Sequence, residues 1–167
     1  MSLLSTYDPH WEADVRQGVP GRVLDNDSIL IATDFEGGNG RTIWDFGDDV
    51  YSIMLEPDPG EHLFMGVGYY VCFGVVNKLD HARTIRVRMR TRVHSWESWH
   101  DHHTLVIRQA GRWRLLDPAD LGTHREDLEV TLRLPPAGDD APLFVSNFHW
   151  WPGSERNAWM DGLAGAR

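Results

Sequence analysis

Residues 83–93, "RTIRVRMRTRV", decide how this chain is to be read. Ile85, Val87, Met89 and Val93 fall on odd positions; Arg86, Arg88, Arg90 and Arg92 fall on even ones. In a strand, successive side chains point to opposite faces. One face is therefore apolar and the other carries a ladder of guanidinium groups. This is a strand with one side on a core and one side facing away from it.

The same grammar extends in both directions. Residues 126–136, "EDLEVTLRLPP", put Leu128, Val130, Leu132 and Leu134 on one side. Residues 69–77, "YYVCFGVVN", form a nearly continuous apolar run, as expected of a central strand buried on both faces. Residues 27–36 read as a strand ended by Gly37-Gly38-Asn39-Gly40, and residues 41–46 and 50–56 as a hairpin around "GDD". "TLVIRQAGRWRLL" reads as two short strands around Ala110-Gly111, and "APLFVSNFHW" as a last strand. Helix is suggested only around residues 11–17 and in the tail "SERNAWMDGLAGAR", where Ser154 is placed to cap it. Many short strands without alternating helices predict an all-β, antiparallel β-sandwich. The expected layout is an N-terminal extension over 1–27, the sandwich over 28–152 and a tail or short helix over 153–167.

Composition narrows the function classes. A chain of 167 residues, 41% of them hydrophobic, suits one domain with one sizeable core. The net charge of −9 argues against general nucleic-acid binding and against docking on anionic membranes. Cys72 is the single cysteine and lies in an apolar run, so an intrachain disulfide is excluded and the thiol reads as packing. The N-terminus shows neither a basic region nor a long apolar stretch, so a cytoplasmic location is expected.

Three stretches invite chemistry. "HSWESWHDHH" at residues 94–103 contains H-x-x-E, a spacing that can hold zinc. His94 and Glu97 are candidate ligands, with His100, His102, His103, His124 or His149 as a third. On a strand, however, positions i and i+3 face opposite ways, so the pair needs a loop, and the stretch reads best as a polar connection. No metal or other cofactor is expected. The tryptophans are the second feature: Trp96 and Trp99, with Trp44, are candidates for a sugar-stacking platform, against the plainer reading of core packing. The arginine ladder is the third. Together with Trp96 and Trp99 it is a candidate ligand surface, able to recognise carboxylates of an acidic peptide. Its plainer reading is a solvated face neutralised by cross-strand acids such as Glu126 and Glu129. "EGGNG" lacks the G-K-[ST] ending of a phosphate-binding loop, and no G-x-S-x-G is present.

The order of these pieces resembles the N-terminal β-sandwich domain of cytosolic zinc carboxypeptidases. "DFEGGNG" is similar to that family's phenylalanine–small–glycine/serine–glycine–asparagine opening, and "VYSIMLEPD" to its strand ending in a proline–aspartate turn. "YYVCFGVVN" resembles its aromatic strand ending in asparagine, followed by "RTIRVRM", "GRWRLL" and "LEVTLRLP" in the expected order. "LFVSNFHWWPGSERNAWMDGL" resembles the strand, aromatic–proline motif and short helix that join the sandwich to the peptidase domain. At that joint Trp150-Trp151 stand where the family has tyrosine. The resemblance covers about residues 29–163. It implies a non-catalytic ancillary domain that packs on a peptidase domain, in cis or in trans, and shapes access to its cleft. Phe148, His149, Trp150, Trp151 and Pro152 are the expected contact. The family's own H-x-x-E zinc motif lies in the peptidase domain, so its roles are not carried onto His94 and Glu97.

Overall fold

β-Branched and aromatic residues at alternating positions, broken every few residues by Gly, Pro and Asp, leave the backbone little choice but short strands. The computed structural model describes residues 17–35, 38–55, 71–90, 105–109, 112–125, 127–138 and 142–147, with side chains from residue 22 onward. In chain order the strands are β1 (Gln17–Gly21), β2 (Val23–Asp25), β3 (Ile29–Ala32), β4 (Thr42–Gly47), β5 (Val50–Met54) and β6 (Cys72–Asn77). They continue with β7 (Arg83–Arg90), β8 (Val106–Gln109), β9 (Arg112–Leu115), β10 (Leu121–His124), β11 (Asp127–Leu134) and β12 (Leu143–Ser146). A single turn of 3-10 helix, Pro118–Asp120, links β9 to β10 and is capped by the Asp117 side chain.

Two six-stranded sheets result. The first runs β1-β4-β5-β7-β11-β10 and the second β2-β3-β6-β12-β8-β9. Neighbours are antiparallel except β5 and β7, which pair in parallel. The chain leaves the first sheet after β5, forms β6 in the second and returns as β7, and this double crossing permits the parallel pair. The expected all-β sandwich is thus observed, with one mixed sheet in place of purely antiparallel ones.

The core lies between the sheets. Ile85, Val87 and Met89 from β7 meet Leu128, Val130 and Leu132 from β11 on the same face, all essentially inaccessible. Phe73 and Val75 of β6, Ile29 and Ile31 of β3 and Val145 of β12 fill the facing side. Burying each such side chain contributes about 1.5–3 kcal/mol, which is why the period-two pattern dictated the fold.

The β4–β5 hairpin turns on "GDD". Asp48 and Asp49 both take positive φ, 52° and 61°, the left-handed pair of a type I′ turn. The Gly47 N–H donates to Asp45 Oδ1 at 2.7 Å and helps fix the bend. Residues 38–40 are shaped by crowding. A Cβ on Gly40 would stand 2.7 Å from methyls of both Ile53 and Thr33, and the Thr33 hydroxyl donates to the Gly40 carbonyl at 2.8 Å. The glycine is there to let the loop lie on the core.

Two polar side chains lock the sandwich at one end. Arg83, its side chain only 9% exposed, is ion-paired with Asp49 on the first sheet and donates to the Ser28 carbonyl of the β2–β3 turn at 3.2 Å. It also donates to the Tyr51 hydroxyl at 3.3 Å. Asn77, at the end of β6, donates to the carbonyls of His81 at 2.8 Å and Pro135 at 2.7 Å, and accepts from the Leu79 N–H at 3.2 Å.

Some expectations change. Gln17, placed in a helical segment, opens strand β1. Residues 17–25, read as part of an extension, supply one strand to each sheet. The rest of the suggested N-terminal helix and the tail helix lie outside the described residues. Among the described residues no helix is long and apolar enough to cross a membrane.

Candidate functional site: the two outer sheet faces

With the inner faces committed to the core, whatever this domain recognises meets its outer faces and edges. On the first sheet β7 turns Arg86, Arg88 and Arg90 outward, as the alternation predicted. Register sets Arg88 opposite Glu129 of β11. Arg88 Nε donates to Glu129 Oε2 at 2.7 Å, and Arg90 Nε donates to Asp127 Oδ1, also at 2.7 Å. Arg86 is exposed.

Arg88 and Arg90 are thus largely covered and held by carboxylates on the next strand. Asp127 is buried, and burial pushes its carboxyl above the usual range while the Arg90 hydrogen bond pulls it back. His124, its cross-strand partner on β10, has its imidazole pushed below the usual range, first by burial and then by the Arg88 charge. Glu129 was anticipated as a neutralising acid; Glu126 lies outside the described residues. Asp127 was missed because "ED" at a strand start reads as a turn, and only the register places it beside Arg90.

Beside the arginines, Trp44 and Met54 form a second small apolar cluster with Phe46 packed against it. Trp44 is only 7% exposed. That corrects the suggestion that it serves a sugar-stacking platform: β4 carries its ring onto Met54, so its face is not presented to solvent.

The second sheet has a different outer face. Strand register brings one residue from each strand into a single row: Val23, Ala32, Gly74, Phe144, Arg108 and Trp113. Phe144 lies over Gly74, where a Cβ would come within 3.1 Å of its ring. Phe35 meets Phe144 edge-on, centroids 5.3 Å apart at 75°. The Arg108 guanidinium sits 5.9 Å from the Trp113 ring centroid, a cation–π distance. Apolar side chains stand exposed at both sides of this face, Val23 at 38% and Leu115 at 66%. Sequence reading missed this row. The alternation in "VIRQ" and "RWRL" hints at it, but only the pairing shows that six strands contribute to one line.

A shallow cleft of about 20 Å³ lies between the β6 and β11 ends, lined by residues including Asn77, Pro135 and Leu143. It has room for about one water molecule. Among the described residues no group of three or more His, Cys, Asp or Glu side chains is placed to hold a metal ion. His124 stands with carboxylates and arginines rather than with other histidines. Cys72 is fully buried, its thiol pushed up to about 12 by burial. The remaining sequence candidates, namely Arg92, His94, Trp96, Glu97, Trp99, His100, His102 and His103 and residues 148–152, lie outside the described residues. Comparison with protein-family models and with curated proteins returns no match for this chain.

Proposed function

We propose that this chain is a non-catalytic ancillary β-sandwich, working in the cytoplasm, that packs on a catalytic domain and shapes access to its cleft. The domain resembled in sequence serves a zinc carboxypeptidase in this way. The observation that carries the reading is the row across the outer face of the second sheet. Aromatic rings and arginine along one line, with exposed valine and leucine beside it, match the composition that protein interfaces favour. Half-buried rings locked edge-on present a rigid surface, so little side-chain entropy is lost when a partner covers it.

The test is sedimentation of the purified chain mixed with the catalytic domain of a zinc carboxypeptidase from the same organism. A faster-sedimenting complex is expected, and Val23→Asp, which places a charge at one end of the row, is expected to weaken it. A mixture that sediments as two independent species overturns the reading.

A further inference from the structure

We infer that the outer edge of β9, at Leu115, is a strand-addition site for an extended acidic segment whose residues alternate carboxylate and apolar. The first observation is charge. In a chain of net charge −9, residues 105–116, "LVIRQAGRWRLL", carry Arg108, Arg112 and Arg114 and no acid. Arg112 and Arg114 are exposed, and among the described residues neither makes an ion pair.

The second observation is the backbone. β9 is the last strand of its sheet among the described residues. Leu116 N–H donates to the Leu105 carbonyl at 2.8 Å, so these two residues form a hydrogen-bonded pair with β8. Antiparallel ladders alternate bonded and non-bonded pairs, so Leu115, paired with Val106, turns its N–H and C=O away from β8. Its side chain is 66% exposed.

The occupant follows from the alternation of β9 itself. Arg112 and Arg114 lie on one face, about 7 Å apart, and Trp113 and Leu115 on the other. A strand laid alongside sets its own alternate residues opposite these. Carboxylates opposite the arginines and apolar groups opposite Trp113 and Leu115 satisfy both faces, while main-chain bonds form at the edge. A second copy of β9 would bring arginine against arginine, the device by which edges resist self-pairing. The edge shares Trp113 and Leu115 with the row, but the inference does not rest on the catalytic-domain reading, since the main chain at Leu115 and the charges of Arg112 and Arg114 carry it and the ligand is different.

The experiment titrates the chain against a short capped fluorescent peptide alternating Glu and Val, with the Lys–Val peptide as control. Binding of the Glu–Val peptide alone is expected, weakening as salt rises. Arg112→Glu with Arg114→Glu should weaken it about tenfold. Leu115→Pro should abolish it without lowering the melting temperature, because the Leu115 N–H makes no bond within the sheet. Equal binding of the Lys–Val peptide, full binding by Leu115→Pro, or no binding of the Glu–Val peptide overturns the inference. Failure of the catalytic-domain complex leaves this result untouched, and the converse holds.

Discussion

Replacing Asn77 by alanine removes three hydrogen bonds at the end of the sandwich where β6, the following turn and the β11 exit meet. A net hydrogen bond contributes about 0.5–1.5 kcal/mol, which brackets the loss at about 1.5–4.5 kcal/mol. Asn77 itself is 6% exposed, but His81 is exposed and Pro135 half-buried, so water reaches part of what the amide leaves behind. The lower half of the bracket therefore applies, about 1.5–3 kcal/mol, or a fall in melting temperature of about 3–12 °C for a chain of this size. Urea unfolding followed by tryptophan fluorescence measures it, with an unchanged slope showing that the unfolded state is unaffected. Asn77→Asp keeps the shape but turns the donor into an acceptor facing two carbonyls. Burial beside those carbonyls raises the carboxyl pKa in the folded state, so its cost is full at neutral pH and eases as pH falls through that raised value. An alanine variant within about 0.5 kcal/mol of the parent, or an aspartate variant with no recovery in acid, would refute this account.

Gly40→Ala drives a methyl to 2.7 Å from Ile53 and Thr33 and is expected to cost about 1–3 kcal/mol in urea unfolding. Gly122→Ala, with nothing within 4 Å of the new methyl, should instead gain about 0.5 kcal/mol. His124 is held below its ordinary value of 6.5, so its neutral form is favoured by folding. The stability it confers is complete above that pH and is lost as pH falls from 6.5 through the lower folded value, and His124→Gln should flatten that part of the stability–pH curve. Cys72, wholly buried with its thiol pushed up to about 12, should resist thiol reagents in the native protein and react at the rate of unfolding.

The core was legible because one face of each strand has to be dry. Ile85, Val87 and Met89, and Leu128 through Leu134, could be assigned from period two alone. Which strands would be neighbours was not legible. Nothing in "VYSIM" and "RTIRVRMR" announces that β5 and β7 pair in parallel, because that depends on β6 crossing to the other sheet. Asn77 stood out only through a family resemblance, since a polar residue ending an apolar run reads as a turn until its three partners are seen. Arg83 begins the same strand but is not part of the arginine ladder. Its odd position places it on the inner face, where the ladder's logic no longer holds and burial among Asp49, Ser28 and Tyr51 takes over.

The contrast between the outer faces bears most on function. On the first sheet, register gives Arg88 and Arg90 each a carboxylate from the adjacent strand: Glu129 for Arg88 and Asp127 for Arg90. A carboxylate ligand would have to displace partners already within 2.7 Å, and both the incoming ion and the released one would need desolvation or rehydration. Among the described arginines of the ladder, Arg86 alone is spared that competition. On the second sheet, Arg108 has an aromatic ring beside it, and Arg112 and Arg114 stand at an edge where the neighbouring strand supplies Ile107 and Gln109. Arg112 and Arg114, which make no ion pair among the described residues, keep their bidentate geometry for an outside partner. The arginine ladder that first drew attention is thus the less available of the two basic surfaces, and the short hairpin strand "RWRL" is where recognition by charge is physically cheapest.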